Sequence, residues 1–339
     1  MYNKNVFKYD EMKRREHMAV RNSVGWYYWT HQLLEVSGPD AAAFLDKIYA
    51  NPIANLKIGR ERYTTMLNEQ AEIIDDVVIF RLEDQKFWVS TLFLNKLVRW
   101  LDVHKGSADV SWRNVTPEYD MYAVQGPKAL EVVNTIVEEP VNDLKFFSFA
   151  VNSVDGIPVI INRAGFTGEK FGYEIYIAPD QQTMLEEKLK AAVAPFGGEQ
   201  VTEFQIMAWT LPTEAGFYYM RDLMHTNPLE VGLDKNIGWE KDFIGKEALL
   251  KIKENGIKHV MVGYTMEDAD VRIQGKDVGG PGTPVMLGDE EIGRVSKYNY
   301  SYVLDKVIGY LYVEAGRVAE GDAVMIRGAE AKICKMTFI

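Results

Sequence analysis

The chain lacks the residues and motifs that define the common metal and nucleotide sites. Its 339 residues include one cysteine, Cys334, which excludes an internal disulfide bond and a zinc site built from two thiolates. Five scattered histidines show no metal-ligand spacing. There is no Gly-x-Gly-x-x-Gly after a strand, no Walker A loop, no Gly-x-Ser-x-Gly and no His-Glu-x-x-His. Rossmann redox chemistry, nucleotide hydrolysis and metallohydrolysis are therefore disfavoured, and we expect no bound metal.

Long apolar segments and positive charge are also scarce. No segment approaches the roughly 18 apolar residues of a membrane-spanning helix, and the N-terminal segment has no apolar core typical of a signal peptide. The formal net charge of −11 argues against nucleic acid or anionic membranes as partners, because phosphate contacts need clustered Lys and Arg. We expect a cytoplasmic protein, in which one or two local cations would suffice for an anionic small ligand.

The chain is rich enough in hydrophobic residues, at 47%, to form sizeable cores in two or three domains. Residues 33–49 and 121–137 both predict a strand, a Gly-Pro turn and a helix. They are either two related units or two instances of a common turn. Further strands are predicted within 62–91, and after about 256 short alternating segments predict an all-β barrel or sandwich. Other predicted elements are a helix at 92–104, strands around 146–162 and 172–178, and helices at 181–193, 201–209 and 242–256.

Acidic residues interrupt two apolar, strand-like segments. Successive side chains of a strand alternate between faces, so Asp75 and Asp76 of Ile-Ile-Asp-Asp-Val-Val are expected to point in opposite directions. Glu174, in Tyr-Glu-Ile-Tyr-Ile, is expected to face away from both its neighbours. Each carboxylate either faces a pocket or occupies an exposed position or strand end. On a rigid strand, a pocket-facing carboxylate accepts two parallel N–H donors from a planar ring.

Aromatic residues are concentrated at 26–29, Trp-Tyr-Tyr-Trp. Such rings either stack on a planar ligand or, more commonly, form part of a core. His31 follows closely and is either an acid–base group or a structural histidine.

Six segments, taken in their order along the chain, resemble the aminomethyltransferase family, whose type member is the T-protein of the glycine cleavage system. Its relatives include tetrahydrofolate-dependent demethylases. The resemblance runs nearly end to end, and the segments that carry it are EVSGPDAAAFLDKI, RYTTMLNEQAEIIDDVVIFR, AVQGPKAL, RAGFTGEKFGYEIYI, RDLMHTNPLEVGLDKNIGWEKDFIGKEAL and EIGRVSKYNYSYVLDKVIGYLYV.

The resemblance implies an α+β fold with three domains in a cloverleaf around a folate channel. We therefore expect a discontinuous folate-binding domain at 1–50 and 115–250, an inserted domain at 51–114 and a C-terminal β-barrel domain at 251–339.

The resemblance also implies a tetrahydrofolate site. It assigns Glu174 to the adjacent 2-amino and N3–H donors of the pterin ring. Asp76 is expected beside the folate nitrogens that receive the one-carbon unit, where it orients or protonates the reacting centre. Tyr63 and Phe166 match positions that flank the folate, so that a flat pterin between the rings gains stacking and apolar burial.

The substrate side departs from the family pattern. The family arginine that would meet the folate glutamate tail aligns with Ala208, so the tail needs another cation, for which Arg221 is our candidate. The family Asp-Val-Ser near the N-terminus is replaced by the aromatic Tyr-Tyr-Trp-Thr. We therefore expect a demethylase that moves a methyl group from a small O-, N- or S-methylated substrate to tetrahydrofolate, with Tyr28 or His31 donating a proton to the leaving group.

Two alternatives to demethylation are kept. One is the aminomethyltransferase of the glycine cleavage system, which needs a lipoylated carrier protein as partner. The other is a non-catalytic folate-binding protein. It is disfavoured because the Lys-Gly-Cys motif of the iron–sulfur-assembly relatives is absent from EKDFIGKEAL.

Overall fold

The computed structural model describes residues 7–30, 32–267 and 282–339. The strands are β1 Gly25–Trp29, β2 Gln32–Ser37, β3 Glu61–Leu67, β4 Ile73–Glu83, β5 Lys86–Thr91, β6 Ser111–Asn114, β7 Asp120–Gln125, β8 Ser148–Val154, β9 Ile157–Arg163, β10 Gly172–Ile177, β11 Glu199–Gln200, β12 His259–Met266, β13 Pro284–Leu287, β14 Glu290–Ser301, β15 Lys306–Glu314, β16 Ala323–Ile326 and β17 Ala329–Cys334. The α-helices are α1 Glu11–Asn22, α2 Ala41–Ile48, α3 Leu94–His104, α4 Ala129–Ile136, α5 Gln182–Val193, α6 Leu211–Glu214, α7 Met220–Leu223 and α8 Lys246–Asn255.

The strands form two open sheets and a closed barrel. One sheet has six strands in the order β11-β1-β7-β10-β9-β8, and the other has five in the order β3-β4-β5-β2-β6. The barrel runs β12-β15-β14-β13-β16-β17. This arrangement confirms the predicted α+β class and shows that the predicted C-terminal module is a barrel and not a sandwich.

The two segments predicted as strand, turn and helix have that structure, one in each open sheet. β2 leads into α2, which buries Phe44 and Leu45 in the core of the five-stranded sheet. β7 leads into α4, which buries Val133 and Ile136 in the core of the six-stranded sheet. Both helices bury the apolar stripe that the helical spacing predicts.

Sheet membership does not follow the expected domain boundary at residue 50. β2 lies before that boundary but pairs with β5 and β6, while β1 pairs with β7 and β11 in the other sheet. A division at residue 50 would cut the five-stranded sheet. We propose that the second unit begins at β2, which divides the expected range 1–50 between the two open sheets.

The helix predicted at 201–209 is wrong in its bounds and geometry. Residues Ile206–Thr210 form a π-helical turn in which the N–H of Leu211 donates to the carbonyl of Ile206, five residues back. Pro212 follows in α6 and has no N–H to continue a regular ladder. The helix predicted at 242–256 begins later, at Lys246. In the described segments, no helix is long and apolar enough to cross a membrane.

Candidate functional site

A cavity of ≈ 140 Å³ lies between the two open sheets and is bounded by the π-helical turn and the residues that follow it. Tyr63 and Asp76 line it from the five-stranded sheet, and Glu174 lines it from the six-stranded sheet. Met207 and Pro212 belong to the helical boundary. Among the described residues that line the cavity there is no Lys, Arg or His. The described lining residues therefore bring carboxyl groups to the cavity but no cation.

Glu174 is 8% exposed and faces this cavity from β10. Its strand neighbours Tyr173 and Ile175 are buried in the core on the opposite face, as the alternation predicts. Asn162 Nδ2 donates to Glu174 Oε2 at 2.8 Å, and the Tyr176 hydroxyl donates to the same oxygen at 3.4 Å. No described residue donates a hydrogen bond to Oε1. Burial raises the pKa of Glu174, and the two hydrogen bonds partly oppose that rise.

Asp76 lies across the cavity on β4. Thr65 is its direct cross-strand partner, which places Tyr63 diagonally opposite on the same face. The Tyr63 hydroxyl donates to Asp76 Oδ2 at 2.9 Å. Burial raises the pKa of Asp76 to about 6, although the bond from Tyr63 lowers it. A carboxyl group with this pKa is mostly ionised at neutral pH and still exchanges a proton readily.

Asp75 points the other way, as the alternation predicts, and is fully buried. The Thr91 hydroxyl donates to Asp75 Oδ2 at 2.8 Å, and the backbone N–H of Asp76 donates to Oδ1 at 3.0 Å. Burial raises the pKa of Asp75 to about 7. Asp75 is not among the cavity-lining residues, so the two neighbouring carboxyl groups have different surroundings.

The loop that carries Phe166 is held against β7 by Gln125. Gln125 Nε2 donates to the Ala164 carbonyl at 3.2 Å, and the Thr167 hydroxyl donates to Gln125 Oε1 at 2.8 Å. Gly165 has φ +154°, and a Cβ added there would lie 2.1 Å from Gln125 Oε1. Glycine is therefore needed at this position for the loop to approach β7 so closely.

Tyr63 and Phe166 meet at the cavity but do not leave room for a ring between them. Their ring centroids are 6.4 Å apart and the rings are tilted by 57°. A sandwiched planar ring needs about 7 Å, since each stacking contact takes about 3.5 Å. In this structure the two side chains form one corner of the cavity rather than opposite walls.

The other candidates are dispersed. Tyr28 is exposed on the face opposite the cavity, where its hydroxyl donates to Asp120 at 2.9 Å. Trp29 lines the cavity instead, because successive residues of β1 alternate between faces. Arg221 is exposed and lines a neighbouring surface pocket, not the cavity. His31 lies outside the described residues.

Sequence reasoning missed a buried ion pair that acts on Asp76. Lys297 Nζ of the barrel lies 2.5 Å from Asp222 Oδ2 of α7, and both side chains are buried. The charge of Asp222 raises the pKa of Asp76, and the charge of Lys297 lowers it. No local pattern marks this pair, because its members are 75 positions apart in the chain. In the described residues no group of His, Cys, Asp and Glu forms a metal site.

Two open sheets, a closed C-terminal barrel and a carboxylate-lined cavity define a known class of protein. Residues 1–241 match the family model described as GCVT N-terminal domain, and residues 262–339 match the glycine cleavage T-protein C-terminal barrel domain. The chain therefore belongs to the aminomethyltransferase (glycine cleavage T-protein) family, and the predicted resemblance is confirmed.

Individual relatives support the same assignment. The aminomethyltransferase of Natranaerobius thermophilus is 32% identical, with 95% of this chain and 89% of the relative covered. That of Bacillus mycoides is 34% identical, with 92% and 85% covered. The crystal structure of glycine cleavage system aminomethyltransferase T from Bartonella henselae is similar with a TM-score of 0.83 and 25% identity, covering 96% of this chain and 89% of that one.

Proposed function

We propose that this protein transfers a one-carbon unit to tetrahydrofolate, and that the unit is an aminomethyl group. The relatives named above are aminomethyltransferases, which favours the alternative of the sequence analysis over demethylation. The structural observation that carries the proposal is Glu174, a buried carboxylate that faces a cavity with no cation among its described lining residues.

The donor pattern of a pterin suits Glu174. Both hydrogen bonds that the carboxylate accepts from described residues go to Oε2, so its remaining acceptor positions are free to meet a ligand. The 2-amino group and N3–H of a pterin are adjacent, parallel donors, and a carboxylate accepts such a pair in a bidentate arrangement. Aromatic and apolar side chains around it supply surface for the ring.

In the proposed reaction, an aminomethyl group arrives on the sulfur of a lipoyl arm. New bonds form from its carbon to N5 and N10 of tetrahydrofolate, while its bonds to sulfur and to the amine nitrogen break. The two N–H protons of the folate are passed on to the leaving thiol and ammonia. Asp76, with a pKa of about 6, would accept and return such a proton near neutral pH. The partner implied by this chemistry is a lipoylated carrier protein.

Methyl transfer from a small donor is the second candidate, and the aromatic wall of the cavity favours it. Trp29 lines the cavity and stacks on Phe204, with ring centroids 6.0 Å apart. Such a wall suits an aromatic or methylated-cation donor. Met207, Ala208 and Pro212 add apolar surface nearby, where the family pattern has an arginine in place of Ala208.

The two candidates differ in their products. After anaerobic titration has established tetrahydrofolate binding, the protein is given either an aminomethylated lipoyl carrier protein or a panel of small methylated donors. Aminomethyl transfer releases ammonia and yields 5,10-methylenetetrahydrofolate, whereas demethylation yields 5-methyltetrahydrofolate without ammonia. We expect the first result, with product formation by Asp76→Asn at least about 100-fold slower. Turnover of a methyl donor alone would replace the proposal with its second candidate.

The cavity also bears on how the folate tail is held. Because none of the described lining residues is cationic, the glutamate tail is expected to contribute little to affinity. Removing the glutamate from tetrahydrofolate should weaken binding less than tenfold, which corresponds to about 1.4 kcal/mol. Titration with tetrahydropteroate measures this loss, and a hundredfold loss would show that a cation does hold the tail.

A further inference from the structure

Behind Glu174, a second buried carboxyl group shares the same amide. Asn162 is fully buried on β9, directly opposite Glu174. Its Oδ1 accepts the backbone N–H of Glu174 at 2.9 Å, which turns its Nδ2 toward the carboxyl groups. Nδ2 donates to Glu174 Oε2 at 2.8 Å and to Glu61 Oε2 at 3.3 Å. The amide thus bridges Glu174 and Glu61.

Glu61 lies where the two open sheets meet. It is the first residue of β3, its backbone N–H donates to the Phe147 carbonyl at 3.0 Å, and it is 4% exposed. It is not among the residues that line the cavity, so it does not reach a ligand there. Its side-chain hydrogen bond within the described residues is the one from Asn162, which connects it to Glu174.

The surroundings of Glu61 do not support a negative charge. The groups that face it are Glu174 and Tyr176 on β10 and Asn162 on β9, with Arg60 as the cation nearby in its own segment. No described residue forms a hydrogen bond to Glu61 Oε1, which is buried. An isolated ionised carboxylate in such a place is costly. Burial and the charge of Glu174 raise the pKa of Glu61 well above its usual value.

We propose that Glu61 is a positioning residue that stays protonated and anchors the Asn162 amide, so that of these two carboxyl groups only Glu174 carries a negative charge. This inference rests on the proposed binding of the pterin at Glu174. Two neighbouring buried carboxyl groups do not both ionise readily, since like charges disfavour each other. The carbonyl oxygen of a neutral Glu61 still accepts one Nδ2 hydrogen, and the other hydrogen holds Glu174 in place.

Two variants separate anchoring from charge. Glu61→Gln keeps an uncharged carbonyl acceptor for Asn162, and Glu61→Leu fills the space without one. In anaerobic titrations with tetrahydrofolate, we expect the Gln variant to bind within about twofold of the wild type and the Leu variant to bind at least about fivefold more weakly. Wild-type affinity in the Leu variant, or equal losses in both, would overturn the proposal.

A second measurement needs no ligand. The infrared difference spectrum between wild type and Glu61→Gln at neutral pH should contain the carbonyl stretch of a protonated carboxyl group. Carboxylate bands in its place would show that Glu61 is ionised and would overturn the proposal. If tetrahydrofolate fails to bind the wild type, the proposed function fails, while this spectrum still decides the protonation of Glu61.

Discussion

Replacing Glu174 with Gln should separate ligand binding from stability. The carboxylate is proposed to accept two N–H donors of the pterin, and hydrogen bonds to charged groups contribute about 1.5–3 kcal/mol each. Glutamine keeps one acceptor oxygen and turns its NH₂ group toward the other donor. We expect tetrahydrofolate binding to weaken by about 3 kcal/mol, which is roughly 150-fold in Kd.

The same substitution should not destabilise the fold. Burial raises the pKa of Glu174, so at neutral pH its ionised form is less favourable in the folded than in the unfolded chain. Asn162 Nδ2 can donate to the glutamine oxygen as it does to Glu174 Oε2. The Tm of the variant should therefore equal or exceed that of the wild type, although a binding residue has been removed.

Anaerobic calorimetric titration and thermal unfolding of the same preparations test both statements. Glu187→Gln, an exposed carboxylate on α5, is the matched control and should change neither quantity. Binding by Glu174→Gln within threefold of the wild type would refute the role of Glu174 in holding the pterin. A lowered Tm would refute the argument that its ionised form is a cost to the folded state.

Three further substitutions test other parts of the site. Asp76→Asn should lower turnover at least about 100-fold while preserving tetrahydrofolate affinity. In the wild type, initial rates measured across pH should decline below about pH 6, where Asp76 becomes protonated. Asp75→Asn should raise the free energy of unfolding by up to about 4 kcal/mol above pH 7, because the pKa of Asp75 is about 7 in the folded chain and 3.8 is its usual value. Denaturant unfolding at several pH values measures this gain, which should vanish below about pH 4. Gly165→Ala should cost about 3 kcal/mol, because φ +154° is strained for alanine and the added Cβ displaces the buried Gln125 amide from its hydrogen bonds to Ala164 and Thr167. Gly156→Ala, with φ +77° and nothing within 4 Å of the added Cβ, should cost only about 1–2 kcal/mol, and equal losses would contradict the steric argument.

The alternation of side chains along a strand was enough to predict that Asp75 and Asp76 point in opposite directions and that Glu174 faces away from its neighbours, because this period depends on the strand alone. It did not show which face of β1 meets the cavity. Trp26 packs against Tyr122 in the core of the six-stranded sheet, and Tyr28 lies on that same face. The choice depends on how β1 pairs with β7 and β11, which are distant in the chain.

Contacts between the sheets were beyond sequence reasoning for the same reason. Glu61 and Asn162 are 101 positions apart, and their contact depends on the edges of two sheets meeting at Phe147. The pairing of β2 with β5, on which the proposed boundary at β2 rests, likewise joins residues 49 to 59 positions apart.

Glu214 and Glu174 show how the surroundings of a buried carboxyl group decide the direction of its pKa shift. Glu214 is fully buried, yet its pKa is lowered: burial opposes ionisation, but His17 Nε2 at 3.1 Å and Arg21 Nη2 at 2.8 Å outweigh it. That charge is satisfied within the protein and ties α1 to α6. Glu174 is buried to a similar degree, but no described cation lies against it and its pKa is raised. In the sequence both are single acidic residues beside apolar ones. Only the folded structure shows that Glu214 already has its partners, whereas Glu174 Oε1 accepts no hydrogen bond from a described residue and would accept one from a donor-bearing ligand.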